Sequence, residues 1–390
     1  MDFVKQVTVL GSTGTIGRKT LAVIKANPER YGVFALAANT NLELLEQQCR
    51  LFKPQYAVLR DKSSALELAT RLSDLTTTVF GGEDSLCDVA SHTEVDIVMA
   101  AIVGAAGLKP TLEAVRGGKR VLLANKEALV MSGTLFISEV NRCQATLLPI
   151  DSEHNAIYQC LANGSKEYSS GVQRLILTGS GGPFLRLDAS NMASVTPEEA
   201  CAHPNWKMGR KISVDSATML NKGLELLEAK LLFEVPASTI DIMIHPESIV
   251  HSMIEYKDGS IIAHLGNPDM RIPIAHGLAW PERISSSVSA LDLSAKDLHF
   301  EDPDYAKFPC LAIAREIAEE PQSHFIALNA ANEIAVELFL KELISFIDIP
   351  IIIQEVLEKT KAEEVNTIEA VLELDRKARE LALERISQIT

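Results

Sequence analysis

Val7-Thr8-Val9-Leu10-Gly11-Ser12-Thr13-Gly14-Thr15-Ile16-Gly17 decides the fold. An apolar, β-branched run enters three glycines, and a helical pattern over residues 18–26 then stops at Asn27-Pro28. The run reads as a buried parallel strand, the glycines as a tight turn and the remainder as a helix. In that order they make a phosphate cradle. Glycines let the backbone approach a pyrophosphate, and the helix N-terminus supplies N–H donors and a positive dipole end. The spacing G-x-x-G-x-x-G is a variant of the commoner G-x-G-x-x-G, and glycines alone also serve a plain turn. Opening a strand–helix–strand unit, they favour dinucleotide binding.

Outward from this turn, a second strand over residues 33–38 ends at Asn39-Thr40-Asn41. NAD enzymes carry an acidic residue there for the ribose 2′-hydroxyl. None is present, so a 2′-phosphate meets no repulsion and NADP is favoured, although no basic residue replaces the acid. Strand–helix alternation continues through residues 56–59, 95–103 and 120–124 to the apolar run 145–150, which predicts a doubly wound parallel sheet. Ligands of such sheets bind at the carboxyl ends of strands. That singles out residues 100–104 and Asn125-Lys126-Glu127, a tripeptide that also suits a solvated loop with a helix N-cap.

At the end of the last run Asp151 and Glu153 stand two apart. If the strand persists they share a face, and carboxylates at one point repel unless a cation or proton sits between them. Oxygen ligands suit Mg²⁺ or Mn²⁺. The competing reading has Asp151 and Ser152 capping a helix that starts near His154. A strand at 175–178 leads into Gly179-Ser180-Gly181-Gly182, and residues 184–209, spaced by Pro197 and Pro204 and holding Trp206, read as a lid. Trp206 filling a core gap is the alternative. Residues 211–218 lead into a helix on which Asn221 and Glu225 share a face. Ser216, Asn221 and Lys222 then form a candidate phosphate pocket and Glu225 completes the carboxylates, against the reading of a surface Lys–Glu pair.

Strand-like runs at 240–244, 249–256 and 260–265 predict a mixed sheet with one apolar face for packing or dimerisation. A chain of 390 residues exceeds one core. The expected organisation is a Rossmann-type coenzyme domain at 1–150, an α+β catalytic domain at 151–280, a linker at 281–304 and a C-terminal helical bundle at 305–390. The fold class is thus α/β. A net charge of −15 argues against nucleic acid and anionic membrane surfaces. Six cysteines without metal spacing suit a reducing compartment. A strand starting within a few residues leaves no room for a leader, and no run approaches a membrane span, so a cytoplasmic location is expected.

Taken together, Gly11 to Gly17, Leu123-Ala124-Asn125-Lys126-Glu127, the stretch 149–155, residues 179–184, His203-Pro204-Asn205-Trp206, residues 213–225 and Leu328-Asn329-Ala330-Ala331-Asn332-Glu333 resemble the 1-deoxy-D-xylulose 5-phosphate reductoisomerase family over essentially the whole chain. The resemblance implies isomerisation and reduction of 1-deoxy-D-xylulose 5-phosphate to 2-C-methyl-D-erythritol 4-phosphate, by retro-aldol and aldol steps followed by hydride transfer from NADPH. It implies a metal (magnesium, manganese or cobalt) on Asp151, Glu153 and Glu225. Substrate contacts fall to Ser152, Ser180, His203, Trp206, Ser216, Asn221 and Lys222, with Lys126, Glu153 and His203 as catalytic candidates. Coenzyme contacts fall to Gly11, Thr13, Gly14, Thr15, Ile16, Asn39, Thr40, Asn41, Ala101, Ile102, Asn125, Glu127 and Gly209. A homodimer is expected. A semialdehyde- or homoserine-dehydrogenase-type oxidoreductase, which needs no three-carboxylate site, and a catalytically dead NADP-binding regulator are the alternatives.

Overall fold

Seven strands, β1 (Lys5–Leu10), β2 (Tyr31–Ala38), β3 (Tyr56–Leu59), β4 (Thr78–Gly81), β5 (Ile97–Ala100), β6 (Arg120–Leu123) and β7 (Thr146–Pro149), lie in the order β4-β3-β2-β1-β5-β6-β7, all parallel. The computed structural model describes residues 4–161, 171–206, 208–294 and 296–386. Parallel strands must be covered on both faces, which is why their sequences read as unbroken apolar runs. Val7, Val9, Leu10, Leu36, Val98, Met99, Val121 and Leu122 are accordingly buried. The strand order reverses direction at β1, so β1 and β5 flank the switch point where ligands of such sheets bind. β4 escapes the sequence reading because it is a short edge strand whose residues alternate between exposed and half-buried.

The chain folds as two units. The first takes residues up to Ala128, then Phe136–Asn155 and Asp269–Ser289; the second takes Leu129–Leu135, Ala156–Pro268 and the chain from Ala290 on. In the first, helix Arg271–Ala279 packs on helix Thr15–Ala26 and on β6. Lys19 pairs with Asp269 at 3.0 Å in the same unit.

The second unit holds a mixed sheet of β8 (Val172–Gly179), β9 (Ile240–Ile244), β10 (Val250–Tyr256) and β11 (Ile261–Leu265), in the order β11-β10-β8-β9. Only β8 and β9 run parallel. Helices Gln322–Leu340, Asp348–Lys359 and Ile368–Ile386 pack together in the same unit. The first of them is buried nearly all round, as a central bundle helix must be.

Three local expectations are corrected. The helix after the glycine turn begins at Thr15, not Arg18, because Gly14 already adopts the extended conformation of a residue preceding a helix. Residues read as a lead-in are themselves helix Arg210–Ala217, separated from helix Leu220–Phe233 by Met219 at φ 59°. The β7 strand does not persist to Glu153. Helix Ser152–Cys160 starts first, the Asp151 carbonyl accepting from Asn155 N–H at 2.9 Å, so Glu153 lies on a first helical turn.

Candidate active site

In the first unit the glycine turn is shaped by contact. A Cβ on Gly11, at φ +81°, would lie 2.4 Å from the Ala101 carbonyl oxygen, and one on Gly17 would lie 2.3 Å from the Gly11 oxygen. Bare glycine is therefore what lets the turn sit against residues 101–102 and lets the helix start so close behind. Gly11 and Ser12 N–H both donate to the Ala37 carbonyl, at 2.9 and 2.8 Å. Gln48, missed in the sequence, donates from Nε2 to the Ser12 carbonyl at 2.9 Å and holds the turn from behind. These contacts place Gly11 against Ala101 and Ile102 at the carboxyl edge of β1 and β5, and Thr13, Gly14, Thr15 and Ile16 follow it through the turn into helix Thr15–Ala26. Asn39, Thr40 and Asn41 follow β2 and are exposed; Asn41 Oδ1 accepts from Leu44 N–H and caps helix Leu42–Phe52.

At the end of β6, Asn125 is buried and works twice. Its Oδ1 accepts from Ala128 N–H at 3.3 Å and its Nδ2 donates to the Gly104 carbonyl at 3.0 Å. It caps helix Lys126–Arg142, whose first turn carries Lys126 and Glu127. Lys126 is nearly buried and its ammonium pairs with the Asp151 carboxylate. Ser152 Oγ donates to Glu153 Oε2 at 2.6 Å, and Asn155 Nδ2 ties the Pro149 carbonyl at 2.8 Å. The cradle fits a dinucleotide phosphate, and Asp151 with Glu153 offers oxygen donors of the kind hard cations take.

The second unit gathers the remaining candidates at the carboxyl end of β8. A Cβ on Gly179 would lie 2.8 Å from Lys222 Cε, and one on Gly182, at φ +69°, 2.5 Å from the Ser216 carbonyl oxygen. Lys222 and Asn221 both donate to Glu225, which is fully buried on helix Leu220–Phe233. A buried carboxylate needs such hydrogen-bond donors and a counter-charge, which the Lys222 ammonium supplies. Asp215, also missed, is buried between Lys211 at 2.8 Å and Asn332 Nδ2 at 2.8 Å, which ties the helix bearing Ser216 to helix Gln322–Leu340. Gly209 precedes helix Arg210–Ala217 in this unit, whereas the other coenzyme candidates lie in the first.

The His203 tautomer follows from its partners. Nδ1 accepts from Asn205 N–H at 3.1 Å and Trp206 N–H at 3.0 Å, so the proton sits on Nε2 and is donated to Ser180 Oγ at 2.9 Å. Ser180 Oγ also accepts from Gly182 N–H at 3.1 Å. Both its lone pairs are used, and the hydroxyl hydrogen is left to donate outward. Burial pushes the His203 pKa down to about 4. The folded pKa lies below the unfolded value of about 6.5, so this contribution to stability is complete above that pH and is lost as pH falls towards about 4. The urea midpoint is expected to fall across that window, and less steeply in His203→Asn. Identical slopes would contradict the assignment.

Of the stretch read as a lid, the structure shows a short 3-10 helix, Ala189–Ser194, and helix Pro197–Cys201 with a Thr196–Glu199 capping box. Lys207 lies outside the described residues. Trp206 is only half-buried, its ring centroid 6.1 Å from that of His251, which is not the environment of a core-filling residue.

A family profile described as 1-deoxy-D-xylulose 5-phosphate reductoisomerase matches residues 7–133, and the two C-terminal domains of that family match residues 147–233 and 265–381. The chain is 56% identical over 382 residues to the 1-deoxy-D-xylulose 5-phosphate reductoisomerase of Saccharophagus degradans, covering 97% of each. It is 56% identical to that of Ectopseudomonas mendocina, covering 100% of each. A crystal structure of DOX-P reductoisomerase with NADPH, fosmidomycin and magnesium superposes with a TM-score of 0.95 at 45% identity, over 99% of both chains. The Zymomonas mobilis enzyme in complex with NADPH gives 0.91 at 44%, over 98% of this chain and 99% of that one. Among the described residues no helix is long and apolar enough to cross a membrane.

Proposed function

The chain belongs to the 1-deoxy-D-xylulose 5-phosphate reductoisomerase family, and on that premise we propose which of its residues do the work. Its activity is the NADPH- and metal-dependent conversion of 1-deoxy-D-xylulose 5-phosphate to 2-C-methyl-D-erythritol 4-phosphate. The family match runs over the full length, so a semialdehyde- or homoserine-dehydrogenase-type reading is set aside. Asp151, Glu153 and Glu225 are the metal ligands. The observation that carries this is that Asp151 and Glu225 are each held as carboxylates beside a lysine ammonium. When bound, the cation supplies Lewis acidity towards the substrate's ketone and hydroxyl oxygens, and NADPH supplies the hydride.

The chain's own groups do the rest. Lys222 and Asn221, now donating to Glu225, turn to the substrate phosphate once that carboxylate is otherwise engaged, and Ser216 and the outward Ser180 hydroxyl hydrogen add donors. Lys126 and Ser152 bind the carbon backbone, His203 fixes Ser180, and Lys126 and Glu153 are the groups available to move protons. Trp206 covers the site against water, which would otherwise reach a fragmented substrate.

Trp206→Ala is therefore expected to lower kcat and raise KM together, with little loss of stability. A loss of about 3–5 kcal/mol in unfolding free energy, the cost of emptying a core site, would instead make Trp206 structural. The protein also acts, in our reading, as a cytoplasmic homodimer. The β11 edge strand supports this by leaving Ile261 and Ile262 54% and 47% exposed, and the net charge of −15 disfavours nucleic acid. NMR of the product tests the rearrangement. Its methyl group must be a singlet on a carbon bearing no hydrogen, whereas simple reduction of the ketone would give a doublet.

A further inference from the structure

No cation follows β2 in the sequence, yet one stands beside its end. β2 and β3 keep register to their last residues, Ala38 opposite Leu59. Asn39 and Arg60 therefore leave the sheet side by side, with Arg60 N–H donating to the Ala38 carbonyl at 3.0 Å and Asp61 N–H to the Asn39 carbonyl at 3.4 Å. Asn39, Thr40 and Arg60 are all exposed. Among the described residues the Arg60 guanidinium makes no hydrogen bond or ion pair.

Of its charged neighbours, Asp61 is engaged and the Lys62 stem runs elsewhere. The Asp61 carboxylate accepts from the Ser63 and Ser64 hydroxyls, both at 2.6 Å, and from Ser64 N–H at 2.7 Å, capping helix Lys62–Arg71. The Lys62 stem lies against the end of β4, where a Cβ on Gly82 would come within 3.0 Å of its Cε. In the sheet order β4 is on the opposite side of β3 from β2. Among the described residues Arg60 is thus a cation left uncommitted next to the loop that faces the adenosine ribose in a doubly wound fold.

We propose that Arg60, reaching from the end of β3 to the Asn39–Thr40 loop, binds the 2′-phosphate of NADPH and is the residue that makes this chain prefer NADPH to NADH. A guanidinium takes a phosphate in two parallel hydrogen bonds, which Thr40 with its single neutral hydroxyl cannot do. The proposal rests on NADPH being the coenzyme.

Calorimetric titration of the full-length protein with NADPH and NADH, and with 2′,5′-ADP and 5′-AMP as fragments, tests it. Arg60→Ala should weaken NADPH and 2′,5′-ADP by about tenfold or more, the size of a charge-assisted hydrogen bond. NADH and 5′-AMP should stay within about twofold, the usual range of a surface substitution. The NADPH affinity of the variant should also fall less steeply with salt, and Arg60→Lys should restore part of the loss. Equal weakening of both coenzymes, or no change in either, would overturn the proposal. Parent protein binding NADH as tightly as NADPH would overturn the coenzyme reading instead, and this proposal with it.

Discussion

Asp151→Asn should cut turnover by on the order of a thousandfold, equivalent to about 4 kcal/mol of transition-state stabilisation, while leaving NADPH affinity nearly unchanged. An amide keeps one carbonyl oxygen but loses the charge that a hard dication needs. The coenzyme cradle, built from the turn at Gly11 and its contact with Ala101, does not involve Asp151. The same change leaves the nearly buried Lys126 ammonium facing a neutral amide, so some loss of stability should accompany it. Manganese titration followed by electron paramagnetic resonance separates the two effects. Manganese affinity must fall, and a variant that binds manganese like the parent would remove Asp151 from the ligand set.

Gly17→Ala should be nearly as damaging, for a steric reason. The added Cβ would sit 2.3 Å from the Gly11 oxygen and 2.5 Å from Ser12 Cα, both backbone atoms with no room to yield. Helix and turn must part, costing about 1–3 kcal/mol of stability. A misplacement of the phosphate cradle by an ångström weakens function by about a hundredfold. Gly14→Ala is the contrast. Its Cβ would meet only the Gly11 oxygen at 3.3 Å, so stability should change little even where coenzyme binding suffers. Urea unfolding and NADPH titration of both variants decide the matter. A Gly17→Ala protein with parental stability and affinity would contradict the packing described for the turn.

How far the sequence could be read depended on whether a signal was local. The central strands announced themselves because a parallel sheet covered on both faces demands unbroken apolar runs, as at Val7 to Leu10 and Val121 to Leu123. β4 gave no such run, since an exposed edge strand needs none. The two-residue spacing of Asp151 and Glu153 suggested a shared strand face, but a helix began at Ser152 and produced a different geometry from the same residues. Contacts between distant polar residues left no pattern at all. Gln48 reaches Ser12 from 36 positions away and Asn332 reaches Asp215 from 117, and each looks in sequence like an ordinary helix residue. Arg60 was invisible as a neighbour of Asn39 until the β2–β3 register was known.

The metal- and NADPH-dependent chemistry is tested most directly by NADPH oxidation by the purified chain with 1-deoxy-D-xylulose 5-phosphate, first stripped of metal and then resupplied with magnesium or manganese. The stripped protein should show no oxidation, and adding either ion should restore it fully. Oxidation that proceeds at the same rate without metal, or none after metal is restored, would contradict that dependence.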